Sequence, residues 1–193
     1  MGKTTRDIAR TAVRAQLAPI AVELFLREGF DNVTVTELAE ATGVSRSTFL
    51  RYFGNKEEAV LTLLDNQGEQ VAQALRSRPA DESDWAALRR AVDVLFEPYH
   101  DDPVEALALT RLVMDTPALR SKRSERFHGW RPLLAEAMAT RTGAGPDVPM
   151  GLSVKAAAAL DCMEIAIERW TASDGELDLV ALLDEAFAAL DPR

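Results

Sequence analysis

The sequence predicts an all-α protein in two parts, a small N-terminal domain of three helices over residues 1–56 and a larger helical domain over residues 57–193. Three observations carry that prediction. Alanine and leucine dominate and β-branched runs are few, which favours helix over strand. Capping residues and helix-stopping glycines recur along the chain at helical intervals. No segment alternates apolar and polar residues as a half-buried strand does, and no internal repeat or low-complexity stretch interrupts the pattern. With 193 residues and a hydrophobic content of 47%, the chain can bury a substantial core.

The elements follow in order. Residues 6–28 read as one helix, with apolar Ile8, Ala12, Leu17, Ile20, Leu24 and Phe25. Pro19 lies inside it and is expected to kink it or to start a new helix, because proline has no backbone N–H to donate. Gly29 then serves as a stop. Thr34-Val35-Thr36-Glu37 is a capping box that opens a short helix over residues 35–42, ended by Gly43. Ser45 caps a second short helix over 45–53, with Phe49 and Phe53 on one face. Asn55 and Glu58 form another capping box, opening one long helix that runs to Arg76 through Ala59, Val60, Leu63, Leu64 and Val71. After a turn at 77–83, further helices are expected at 84–100, 103–115, 117–142, 153–174 and 178–190, with a loop at 143–151. Pro103 and Pro117 stand where first-turn prolines belong.

Composition excludes several classes. Cys162 is the single cysteine, so no internal disulfide framework exists and a reducing cytoplasm is the expected setting. No apolar stretch approaches membrane-spanning length, so no membrane partner is expected. The N-terminal MGKTTRDIARTAVR is basic but has no apolar core, and is not read as a secretory signal. The net charge of −9 argues against nucleic-acid binding by the chain as a whole. By segment the picture changes: residues 1–56 hold eight Lys/Arg against six Asp/Glu, and the remainder holds fourteen against twenty-five. Any phosphate-binding face therefore belongs to the N-terminal part.

Two short helices joined by a glycine-containing turn form a helix-turn-helix, the arrangement that delivers a helix into the DNA major groove. Ala39 is small enough for a close crossing, Gly43 permits the turn, and Val44 and Phe49 lock the pair to a core. The second helix then exposes Ser45, Arg46, Ser47, Thr48, Leu50, Arg51 and Tyr52, a set of hydroxyls, guanidiniums and a phenol suited to base edges and phosphates. Arg46 is the candidate for base readout, bidentate to a guanine, with Ser47 beside it. Thr34 and Thr36 stand at the start of the preceding helix, where backbone N–H groups favour a phosphate. Lys56 falls in the first turn of a helix, where the macrodipole disfavours a cation and a nearby anion would be welcome; a solvated lysine is the alternative. Tyr52 offers its hydroxyl to a phosphate, or else packs against the first helix.

Residues 24–60, LFLREGFDNVTVTELAEATGVSRSTFLRYFGNKEEAV, resemble the DNA-binding domain of the TetR family, and the likeness extends over residues 6–65. The aromatic, short turn and lysine that follow the recognition helix in that family are Phe53-Gly54-Asn55-Lys56 here. The resemblance implies a homodimer on a palindromic operator of double-stranded DNA, released when a ligand enters the C-terminal domain. It also implies phosphate contacts at Lys56 and Thr48. Leu50 departs from the family's usual tyrosine, so the contact made there does not carry over, and neither does the operator sequence.

The C-terminal part is less informative. Val180, Leu183, Phe187 and Leu190 form one apolar stripe of the last helix, and Leu179, Leu182, Ala186 and Ala189 form another. Helices 153–174 and 178–190 are read as a dimer interface through Leu160, Ile167, Leu179, Val180, Leu183, Phe187 and Leu190. A two-fold pair would set two reading helices roughly 34–36 Å apart. Phe96, Tyr99, Leu112, Met114, Phe127, Trp130, Met138, Cys162 and Trp170 are candidate linings of a pocket for an apolar or aromatic ligand, with ordinary core packing as the alternative. His100 beside Asp101 and Asp102 reads as a solvated helix end, and Cys162 as an inert core thiol. No catalytic, cofactor or metal motif is recognised, so the expected function is a ligand-responsive repressor rather than an enzyme. The competing reading is a small-molecule-binding protein or enzyme on the same fold that binds no operator.

Overall fold

The computed structural model describes residues 4–143 and 148–190. Among these residues the chain is helical: α1 (Thr5–Glu28), α2 (Val35–Ala41), α3 (Arg46–Phe53), α4 (Lys56–Leu61), α5 (Gln67–Arg76), α6 (Asp84–Ala91), α7 (Glu97–Asp101), α8 (Pro103–Asp115), α9 (Pro117–Arg141), α10 (Met150–Ala172) and α11 (Leu179–Ala188), with 3₁₀ turns at Thr62–Leu64 and Val92–Leu95. They form two compact units. The first comprises the residues up to Asp65 together with 108–123, and the second comprises 66–107 together with residues from Ser124 onward. The division thus falls nine residues beyond the 56/57 boundary expected from sequence and adds segments of α8 and α9 to the first unit. Part of the loop expected at 143–151 lies outside the described residues, and α10 opens at Met150.

In the first unit, Thr4 and Asp7 close a capping box on α1, which runs through Pro19 without ending. Pro19 is exposed, as is Ala15 one turn earlier, so the carbonyl left without a donor can be hydrated. Ala18, Ala21, Phe25, Leu38, Phe49 and Leu61 are almost fully buried and form the centre of the unit, with ring pairs Phe25–Phe30 and Phe49–Phe53 at 4.9 and 4.8 Å.

Two long helices expected from sequence are broken. The 56–76 segment is interrupted by the 3₁₀ turn and by Asn66, whose φ of 71° is left-handed and incompatible with a continuing right-handed helix. Arg14 of α1 holds this break, donating to Thr62 Oγ1 at 2.7 Å and pairing with Asp65 at 3.3 Å. The 84–100 segment divides into α6, a 3₁₀ turn and α7. Pro98 occupies the first turn of α7, where its missing N–H costs no hydrogen bond within the helix.

The second unit buries Leu75, Leu88, Leu134, Met138, Met163 and Leu183, and its largest helix pairing is α10 with α11. Trp85 fastens α6 to α11, donating its indole N–H to the Phe187 carbonyl at 2.9 Å, with the rings 4.8 Å apart. Asp84 is the acceptor at the junction of α6, α9 and α10, receiving Arg141 at 2.5 Å and Lys155 at 2.8 Å. Gly68 presses on Trp130: a Cβ there would lie 2.5 Å from the indole Cδ1.

Candidate nucleic-acid interface

The helix-turn-helix is built from local signals. The Thr34 hydroxyl accepts the Glu37 N–H at 3.3 Å, and the Glu37 carboxylate accepts the Thr34 N–H at 2.8 Å. Thr42 then caps the end of α2 by donating to the Leu38 carbonyl at 2.7 Å. Gly43, at φ 70°, supplies the left-handed step of the turn. Ser45 opens α3 by accepting the Thr48 N–H at 3.2 Å, and its hydroxyl lies 3.0 Å from Ser47 Oγ and 2.9 Å from Thr48 Oγ1. Phe49 and Phe53 bury one side of α3, with Ala39 buried at the crossing. The opposite side leaves Ser45, Arg46, Ser47 and Arg51 exposed, while Thr48, Leu50 and Tyr52 are half-buried. Arg46 has no hydrogen-bond or ion-pair partner among the described residues. This face offers a free guanidinium, a hydroxyl cluster and a second arginine on a helix whose other side is fixed in a core.

Other expected contacts are modified by what the side chains already hold. The Thr34 hydroxyl donates to Glu37 at 2.7 Å, so the start of α2 carries its own carboxylate rather than an open anion seat. The hydrogen bonds from the Thr34 backbone and hydroxyl hold the Glu37 carboxyl below its usual range. Thr36 is exposed beside it. Lys56 is not a freely solvated lysine: its Nζ donates to the carbonyls of Phe30 and Val33 at 2.8 and 3.3 Å and lies 4.4 Å from the Phe30 ring centroid. Tyr52 packs its ring against the first-unit core, with the Arg51 guanidinium over it at 5.6 Å.

The candidate pocket residues are divided between the two units. Leu112 and Met114 belong to the first unit, because α8 from Ala108 onward packs there; Met114 Sδ accepts from Arg123 at 3.5 Å. The other seven lie in the second unit. Phe127 stacks on Trp130 at 4.3 Å, and Tyr99 bridges Phe96 and Trp170 at 5.5 and 5.2 Å. Met138 is fully buried, and the Cys162 thiol is pushed up by burial, which suits an inert core group.

Most of the residues expected at an interface on α10 and α11 are turned toward their own unit. Leu160, Ile167, Leu179, Leu183 and Phe187 are buried within the second unit, so their own chain already covers them. Val180 is half-buried and Leu190 is exposed. The outward apolar side chains are instead Met150, Val154 and Ile165 of α10, with Leu190 just beyond α11. A groove of about 410 Å³ runs between the two helices, lined among others by Ala158, Ile165, Arg169, Glu185 and Leu190. Sequence reasoning also missed Arg14 and Arg10, whose partners Asp65 and Tyr52 are distant along the chain, although the four-residue spacing of the arginines was visible.

Among the described residues no group of acidic, histidine or cysteine side chains could hold a metal ion, and no helix is long and apolar enough to cross a membrane.

Comparison with known proteins agrees with this geometry. Residues 20–62 match the family described as bacterial regulatory proteins, tetR family, and residues 82–193 match the MftR C-terminal domain. The chain is 35% identical over 152 residues to the HTH-type transcriptional regulator TcmR of Streptomyces glaucescens, covering 76% of this chain and 66% of that one. It is 29% identical over 139 residues to the HTH-type transcriptional regulator EthR of Mycolicibacterium smegmatis, covering 69% and 63%. The chain thus spans about two thirds of the length of these relatives. Among solved structures it is similar to Thermus thermophilus FadR, a TetR family transcriptional repressor in complex with lauroyl-CoA, at a TM-score of 0.60 and 25% identity, covering 93% of this chain and 96% of that one. With a buried helix-turn-helix core, an exposed basic face on α3 and family matches over both parts of the sequence, the chain belongs to the TetR family of transcriptional regulators.

Proposed function

We propose that this protein is a cytoplasmic, ligand-responsive repressor that binds a palindromic operator as a homodimer, with α3 in the major groove. The observation that carries this reading is the α3 face: Arg46, Ser47 and Arg51 are exposed on a helix locked from behind by Phe49 and Phe53. Arg46 reads a guanine, while Ser45, Thr48, Thr36, Tyr52 and the third N–H of Lys56 serve phosphates; Leu50 contributes an apolar contact, such as a thymine methyl. Thr34 acts through its cap on α2. We infer that the protein acts by binding and not by catalysis, in keeping with relatives that are regulators of transcription.

The homodimer is assigned to the outward side of α10 and α11, where Met150, Val154, Ile165 and Leu190 lie unpartnered on one chain. The ligand is apolar or aromatic and is recognised by the second unit, whose aromatic groups Phe96–Tyr99–Trp170 and Phe127–Trp130 are part of its apolar core. The lauroyl-CoA bound by the Thermus relative makes long-chain acyl thioesters the first probes. The test is selection of bound fragments from a random-sequence DNA pool. A recovered palindrome whose complex dissociates on addition of an acyl thioester or an aromatic effector supports the reading. No enrichment over background would overturn it in favour of a binding protein without an operator.

A further inference from the structure

α1 carries arginines at positions 6, 10 and 14, one helical turn apart and therefore along one face. Two of them tie that face to the end of α3. The Arg14 guanidinium lies over the Phe53 ring at 5.7 Å. Arg10 donates to the Tyr52 carbonyl at 3.2 Å. Tyr52 is in the last turn of α3, where carbonyls have no partner within the helix, so Arg10 caps the C-terminus of α3 and uses one of its five N–H donors. One turn further along the stripe, about 6 Å of rise, stands Arg6. It is exposed and has no hydrogen-bond or ion-pair partner among the described residues. Arg51, exposed over the Tyr52 ring, completes the group. The nearby Asp7 is engaged with the Thr4 N–H and hydroxyl at 3.1 and 2.7 Å, in the cap of α1.

We propose that Arg6 and Arg10, with Arg51, bind the phosphodiester backbone flanking each half-site, beyond the bases that α3 faces. The proposal rests on the reading of α3 as the DNA-binding helix. Two features select DNA as the occupant. The patch is continuous with the exposed face of α3 through Tyr52 and Arg51, and its guanidiniums match phosphate in charge and geometry. The roles differ: Arg10 is held in place by the Tyr52 carbonyl and presents its remaining N–H groups, whereas Arg6 is a free contact.

The experiment compares the full chain with Arg6→Ala and Arg6→Glu on two duplexes, the palindrome recovered by selection and a mixed-sequence DNA of equal length. Binding is followed by anisotropy between about 50 and 200 mM salt. Arg6→Ala is expected to weaken both duplexes by a similar factor and to reduce the salt slope by about one for each protomer bound. Arg6→Glu weakens both further. Hydroxyl-radical protection is expected to shrink at the flanks and to persist over the half-sites. Arg46→Ala, run alongside, separates the two levels of inference. If Arg46→Ala changes base preference while both Arg6 variants leave slope and flanking protection as in the parent, the backbone contact is refuted and the reading of α3 stands. If the parent itself binds neither duplex, both are refuted.

Discussion

At the residue scale, Arg46 and Lys56 illustrate two fates for a cation in a helix-turn-helix unit. Arg46 is exposed with no protein partner among the described residues, so its guanidinium is available to a base edge. Arg46→Ala is expected to cost about 1–3 kcal/mol of operator binding and to relax preference at one base pair per half-site. Binding to a panel of operators with single base-pair changes checks this; equal weakening on every sequence would make Arg46 a phosphate contact. Lys56 donates to two carbonyls of the segment between α1 and α2, so part of its value lies in holding that segment. The caps that frame both residues were legible in the sequence, because Thr34–Glu37, Ser45–Thr48 and Asn55–Glu58 each act over three residues. The Lys56 bonds were not, because Phe30 and Val33 lie more than twenty residues away.

At the element scale, helix type was readable from periodicity, but two breaks were not. Asn66 carries a left-handed φ that no local pattern announces, and the stop is reinforced by Arg14, fifty-one residues upstream of Asp65. The break before α7 was no more legible: Pro98 stands in a first turn whereas Pro19 lies inside α1, so a proline by itself does not place a stop. Close helix contact in the second unit makes Gly68 intolerant of growth. A Cβ at 2.5 Å from Trp130 meets a rigid indole stacked on Phe127, so Gly68→Ala is expected to destabilise by about 1–3 kcal/mol, read in urea melts. A Trp130→Leu background should remove most of that loss.

Asp84 links α6, α9 and α10 and gives the second unit a defined acid response. Burial works to raise its pKa, but the hydrogen bonds from Lys155 and Arg141 outweigh burial and hold the carboxyl below its ordinary value. A depressed folded-state pKa contributes stability above the unfolded-state value and loses it as pH falls through the folded one. Parent and Asp84→Asn are therefore expected to differ in stability at neutral pH and to converge on acidification below the aspartate range. A difference that persists unchanged into acid would show that the carboxylate charge is not what matters.

At the scale of the whole molecule, the sequence showed two apolar stripes on the last helix but could not say which side faces inward. A stripe has the same 3.6-residue period whether it meets its own core or a second copy. The structure turns Leu183 and Phe187 inward and Ile165 outward. Ile165→Glu is expected to give folded monomers, whereas Leu183→Ala leaves a cavity and costs about 2–5 kcal/mol of stability without changing the association state. Light scattering with circular dichroism distinguishes them; folded dimers from Ile165→Glu would move the interface elsewhere.

The placement of the aromatic residues has a practical consequence. Trp85, Trp130 and Trp170 are all the tryptophans of the chain, and all belong to the second unit, while the first unit contains Tyr52 and no indole. Intrinsic tryptophan emission is therefore a built-in dye for the second unit alone. Effector titrations can be followed optically without labelling the protein, and a fluorophore-tagged duplex can report the reading helix in the same cuvette on a separate channel.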